Sequence, residues 1–152
     1  MDHLDALFLV LNYSILPPWM LLIFAPRWAW TQRVVHTAFI PVLLGVAYTL
    51  LLFSDPQRSP EASFLTLDGV VALFSSRQAT LAGWTHILVL DLFTGAWEVR
   101  DARRRGIPHL HVVPLLFVTL ALAPLGLALY LGLRALRKRA LTLDEGAAAA
   151  PS

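Results

Sequence analysis

The chain has 152 residues, of which 57% are apolar, 14% are charged and none is cysteine, and its mean hydropathy is +0.65. A soluble domain carries about 25% charged residues, so this composition excludes an ordinary water-solvated globule and makes lipid the main solvent. The missing cysteines exclude disulfides, thiolate metal sites and a cysteine nucleophile, and the formal charge of +2, with eight of the twelve basic residues in 100–105 and 134–139, reads as membrane-flanking charge and not as a nucleic-acid surface.

The first apolar run covers residues 4–25. It follows Asp2 and His3, not the basic segment of a secretory leader, and leaves through Ala25-Pro26-Arg27-Trp28 without a small-residue cleavage pattern, so it is expected to be retained. Pro17 and Pro18 remove two N–H groups and free the carbonyls of Tyr13 and Ser14, which predicts a kink with Asn12 or Ser14 helping to satisfy the backbone. Further runs at 34–53, 79–97 and 112–133 also match the roughly 20 helical residues that a hydrocarbon core of about 30 Å demands. The second and fourth contain no Asp, Glu, Lys or Arg.

Between the second and third runs, residues 54–78 start polar and continue into an apolar patch from Phe64 to Phe74. As a helix that patch is only about 17 Å long, so it is read as interfacial or re-entrant, with Asp68-Gly69 as a candidate break. The tail from residue 140 is of low complexity and predicted to be disordered. The expected architecture is all-α and polytopic: four transmembrane helices plus one short helix in a single domain over 1–139, multi-pass in a bacterial inner membrane. Membrane lipid is the expected partner, and a homo-oligomer is compatible with so small a bundle. With four crossings, each side would hold six basic residues, so the positive-inside rule ties; the acids before the first run and Arg27 and Arg33 after it tip the N-terminus away from the cytoplasm.

The third run carries the chemistry. An ionisable group inside a membrane span is expensive and is a functional candidate by default. With His86 at zero and about 100° per residue, Trp97 falls at about 20°, Asp101 at about 60°, Glu98 at about 120°, Asp91 at about 140° and Trp84 at about 160°. The strongly polar groups therefore share one side of the helix. His86 and Asp91 can form an acid/base pair, with His109 or His111 returned toward them by the turn at 103–108; the structural alternative is that Asp91 only bonds a neighbouring helix. A metal held by His86, Asp91, His109, His111 and His36 is disfavoured, because His86 and Asp91 are five apart and point away from each other. No metal or cofactor is expected. There is no phosphate-binding glycine loop, Walker motif or nucleophile elbow.

These residues also carry a resemblance. Trp84-Thr-His86, Asp91-Leu-Phe93, Asp101 and His111 resemble the Trp-x-His-x-x-x-x-Asp-Leu-Phe…Asp…His pattern of the abscisic-acid-deficient-four family of small membrane proteins, with supporting matches at Ala25-Pro-Arg-Trp28, Thr31 and Ala123-Pro-Leu-Gly126. Plant members are required to form neoxanthin from violaxanthin, which opens an epoxide and leaves an allene. The resemblance implies a membrane protein that modifies a carotenoid or similar isoprenoid, an isomerase-type activity with His86, Asp91, Asp101 and His111 as catalytic groups and Trp84, Phe93, Glu98 and His109 in binding. The alternatives are a non-catalytic carotenoid- or lipid-binding protein and a small proton-coupled transporter.

Overall fold

The structure is a computed structural model that describes residues 2–138, 142 and 143. Among the described residues every regular element is helical: α1 (His3–Ser14), α2 (Leu16–Phe24), a π-helical turn (Thr31–Val35), α3 (Phe39–Phe53), α4 (Leu67–Leu73), α5 (Arg77–Arg104) and α6 (His109–Lys138). Four segments, 3–24, 31–53, 77–104 and 109–138, are long and apolar enough to cross a membrane. The protein is thus all-α and polytopic, as composition and run lengths dictate. It divides into two compact units, residues 1–17 with 37–90 and residues 18–36 with 91–152. Helix α5 contributes 77–90 to the first and 91–104 to the second.

In the first unit, Asp2 caps α1 reciprocally. Its carboxylate accepts the Asp5 N–H at 2.9 Å, and the Asp5 carboxylate accepts the Asp2 N–H at 3.2 Å. Arg77, at the start of α5, reaches both acids at 2.5 Å. Next to it, the Gln78 amide donates to Leu51 O and Ser54 Oγ, each at 2.9 Å, which fixes the end of α3. The two prolines interrupt the helical hydrogen bonds after Ser14, yet Ile15 keeps helical dihedrals (φ −78°, ψ −22°). The disturbance is therefore a gap in the bonding ladder within a path that stays helical there, and the Ser14 hydroxyl donates to Leu11 O at 2.9 Å.

The short helix α4 is displaced from its expected form. Asp68-Gly69 is not a break but part of its first turn: Thr66 Oγ1 accepts the Gly69 N–H at 3.0 Å, and an acid in a first turn is favoured by the helix dipole. Glycine is needed there because a Cβ would lie 2.7 Å from Ser63 Cβ. Leu67 at the start of α4 and Leu65 just before its cap, 79% and 93% exposed, suit a segment lying against lipid.

In the second unit, α2 meets α5 at Gly95, where a Cβ would come 2.5 Å from the buried Trp19 ring. Helix α5 runs seven residues beyond the predicted end at 97, because Glu98 and Asp101 are buried against α6 instead of lying in a loop. Helix α6 also exceeds its predicted 112–133, and it is bent. Leu122 leaves helical geometry (φ −148°, ψ 69°) two residues before Pro124. Beyond it the chain doubles back: a Cβ on Gly126 would lie 2.5 Å from Thr119 Cα, while in an unbroken helix residues seven apart are about 10 Å apart. Tyr130 and Arg134 return to Asp101, and Lys138 Nζ comes within 3.9 Å of a Cβ placed on Gly106. Both ends of α6 therefore lie beside the end of α5. Of the tail read as disordered, only Thr142 and Leu143 are described; Thr142 O accepts from Arg134 Nη2 at 2.6 Å, and the remainder lies outside the described residues.

Candidate functional site

Two polar regions emerge, one in each unit. In the first, the opening half of α5 places Trp84 and His86 on an apolar cavity of about 450 Å³ that is walled by Tyr48 and Leu52 of α3, Leu73 of α4, Phe64, Phe74, Gly83 and Ile87. Gly83 admits the Phe74 ring, which a Cβ would meet at 2.5 Å. His86 is exposed within the unit and its ring sits 5.6 Å from the Tyr48 ring. Trp84 is fixed by its indole N–H, which donates to Asn12 Oδ1 at 3.2 Å, and by Phe8 at 6.5 Å between ring centroids. An apolar pocket of this size with a few placed polar groups is the form that small-molecule sites take. It offers one titratable ring, one phenol and mostly hydrocarbon walls.

The second region is a buried polar cluster. Asp101, 1% exposed, accepts from Tyr130 Oη at 2.6 Å, Arg105 Nε at 2.9 Å and Arg134 Nη1 at 3.3 Å. Arg134 is itself wholly buried and lies 5.9 Å over the Trp97 ring, which meets Tyr130 edge-on at 5.6 Å. Glu98, also wholly buried, has both carboxyl oxygens 3.1 Å from Thr119 Oγ1, which stands 3.0 Å from Leu115 O as well. A charge buried this deeply survives only when paired and hydrogen-bonded, and Asp101 is both.

The remaining sequence candidates lie apart from these clusters. His86 and Asp91 belong to different units. Asp91 is half-buried and Phe93 exposed, with Arg100 5.9 Å over the Phe93 ring. His109 Nε2 lies 2.9 Å from Ile23 O and so donates to it, while His111 is exposed at the start of α6. His36 accepts from Arg100 through Nδ1 at 3.1 Å, which uses the single accepting nitrogen of a neutral imidazole and leaves the proton on Nε2. Among the described residues no group of three His, Asp or Glu stands as a metal-binding set. The sequence reading missed Tyr48, Thr119, Tyr130 and Arg134. Tyr130 and Arg134, four apart, share a helix face, and Pro124 with Gly126 in mid-run was the available sign of a turn.

Comparison with known proteins gives a consistent result. A family model described as ABA4-like, ABA DEFICIENT 4-like, matches residues 6–130. "Protein ABA DEFICIENT 4, chloroplastic" of Arabidopsis thaliana is 28% identical over 123 residues, 73% of this chain and 54% of the relative. The chain thus spans about half the length of that curated relative. No solved structure matches.

Proposed function

We propose, on the premise that this chain belongs to the ABA DEFICIENT 4-like family, that it takes up one end of a carotenoid or comparable isoprenoid and isomerises it by proton transfer. The observation that carries this reading is the apolar cavity of about 450 Å³ with His86, Tyr48 and Trp84 in its wall. It suits a cyclic end group, with the polyene left in the surrounding lipid. We take that lipid to be a bacterial inner membrane.

The chemistry asked of the site is small. Protonation of an epoxide oxygen lets its C–O bond break, and loss of a proton from the adjoining polyene carbon supplies the electron pair of the new double bond. One proton is given and one is taken, so the change is an isomerisation that needs no oxidant or reductant. His86 is assigned the proton transfer at the cavity. Asp91, His111 and Asp101 belong to the second unit and are carried as candidates on the strength of the Trp84-x-His86…Asp91-Leu-Phe93…Asp101…His111 motif alone, Asp101 through the helix end that it holds in place.

Expression in a carotenoid-producing host tests the reading. The unaltered chain should change the pigment profile, and His86→Ala should lower product by about 10²-fold, the usual scale of a lost acid/base group, at equal amounts of folded protein. An unchanged profile with the unaltered chain overturns it. A second reading, binding without catalysis, is favoured by the engagement of Glu98 and Asp101 in internal bonds. It requires purified protein that is coloured, with pigment chemistry untouched by His86→Ala and Asp91→Asn.

A further inference from the structure

The second unit contains a cavity of about 330 Å³ whose wall is formed by the last turns of α5, the 106–108 linker, the first residue of α6 and Pro26-Arg27. Its polar lining groups are Arg27, Arg103 and His109; Val99, Ala102 and Ile107 make an apolar floor. Among the described residues no carboxylate lines it. Of the two acids next to lining residues in sequence, Asp101 is already neutralised by Arg105 and Arg134, and Glu98 is wholly buried against Thr119. Arg27 and Arg103 are exposed, and neither forms an ion pair among the described residues. The reversal of α6 adds a further cation, since Lys138 Nζ stands 3.9 Å from a Cβ placed on Gly106.

We propose that this cavity holds the phosphate headgroup of an anionic phospholipid, with Arg27 and Arg103 on the phosphate and the apolar floor against the glycerol and upper acyl chain. The mixed lining decides between sources of phosphate. A free ion would use the arginines and leave the apolar surface of Pro26 and Pro108 beside them uncovered, whereas an amphiphile uses both. Arginine forks match phosphate oxygens in pairs, and basic clefts between membrane helices collect anionic headgroups where the surrounding leaflet supplies them. All basic residues except Arg58 and Arg77 belong to this unit, so its field also favours an anion.

Native mass spectrometry of the full chain in a non-ionic detergent, titrated with phosphatidylglycerol and separately with phosphatidylcholine, tests the site. The unaltered chain should retain phosphatidylglycerol about tenfold more tightly, Arg27→Gln/Arg103→Gln should fall to the phosphatidylcholine level, and Arg27→Lys/Arg103→Lys and Arg58→Gln should keep the preference. Equal retention of the two lipids by the unaltered chain overturns the proposal without any variant. A preference that survives the double glutamine change removes it from this cavity, and displacement of the lipid by excess inorganic phosphate overturns the lipid assignment.

Discussion

At Asp101, donors from Tyr130, Arg105 and Arg134 converge on one carboxylate that is 1% exposed. Arg134→Met leaves Asp101 with Arg105 as its remaining close charge partner and strands one buried carboxylate oxygen, so its cost is expected to approach the roughly 3–5 kcal/mol of a broken buried pair. Tyr130→Phe, which deletes one hydrogen bond to a charged group, should cost about 1.5–3 kcal/mol. Denaturant unfolding in detergent, followed by the fluorescence of Trp97 beside both residues, would rank the two, and a smaller loss for Arg134→Met would contradict the assignment. His86 behaves differently: its exposed ring against Tyr48 makes no comparable bond, and His86→Ala should leave unfolding within about 0.5 kcal/mol of the parent. That difference separates a residue available for chemistry from one that holds helices together. From sequence, both were polar groups on one side of a helix. Burial and partners divided them.

Among the elements, α6 and α1 give the sharpest expectations. Gly126 lies where the two arms of α6 meet and a Cβ would strike the Thr119 backbone, whereas Gly132 has nothing within 4 Å of the same position. Gly126→Ala should therefore force the arms apart and lower the yield of folded protein. Gly132→Ala should be neutral or stabilising by up to about 1 kcal/mol through helix propensity, and similar thermal midpoints for the two variants would refute the close approach. At the other end, the Asp5 N–H and the Arg77 guanidinium hold the Asp2 carboxyl below its ordinary 3.8. A lowered folded-state value means that the cap stabilises above the unfolded pKa and is lost as the pH falls through and below it. Acid should thus loosen α1 from Arg77 below about pH 4, and Asp2→Asn should flatten that limb in hydrogen exchange of the first turn. The spacing Asp2-x-x-Asp5 held the signal of a capping box, which the reading of the sequence passed over. The α6 reversal was not legible, because Pro124 in an apolar run reads equally well as a tolerated kink.

For the molecule as a whole, the doubling back of α6 decides where its basic end lies. Its arms, residues 109–121 and 123–138, are about 20 and 24 Å long at 1.5 Å per residue, each short of a core of about 30 Å. Arg134, Arg137 and Lys138 accordingly join the 100–105 cluster at one end of their unit, and by the positive-inside rule that end is predicted to face the cytoplasm. Since the chain has no cysteine, Arg104→Cys and Lys138→Cys report cleanly. A membrane-impermeant maleimide should reach both in inside-out vesicles and neither in intact cells, and labelling from opposite sides would refute the reversal. Composition and run length by themselves determined the solvent, the helical class and the four apolar segments, because each depends on how much apolar length a stretch of chain carries. The Trp84 to His111 stretch likewise marked where the charges sit within those segments. Only the tertiary structure decided that Trp84 and His86 line a cavity, that Glu98 and Asp101 are bonded inside, and that Arg134 is a buried partner and not a loop charge. These facts depend on which helix face meets which, and a single unscheduled turn at Leu122 changes every such meeting after it.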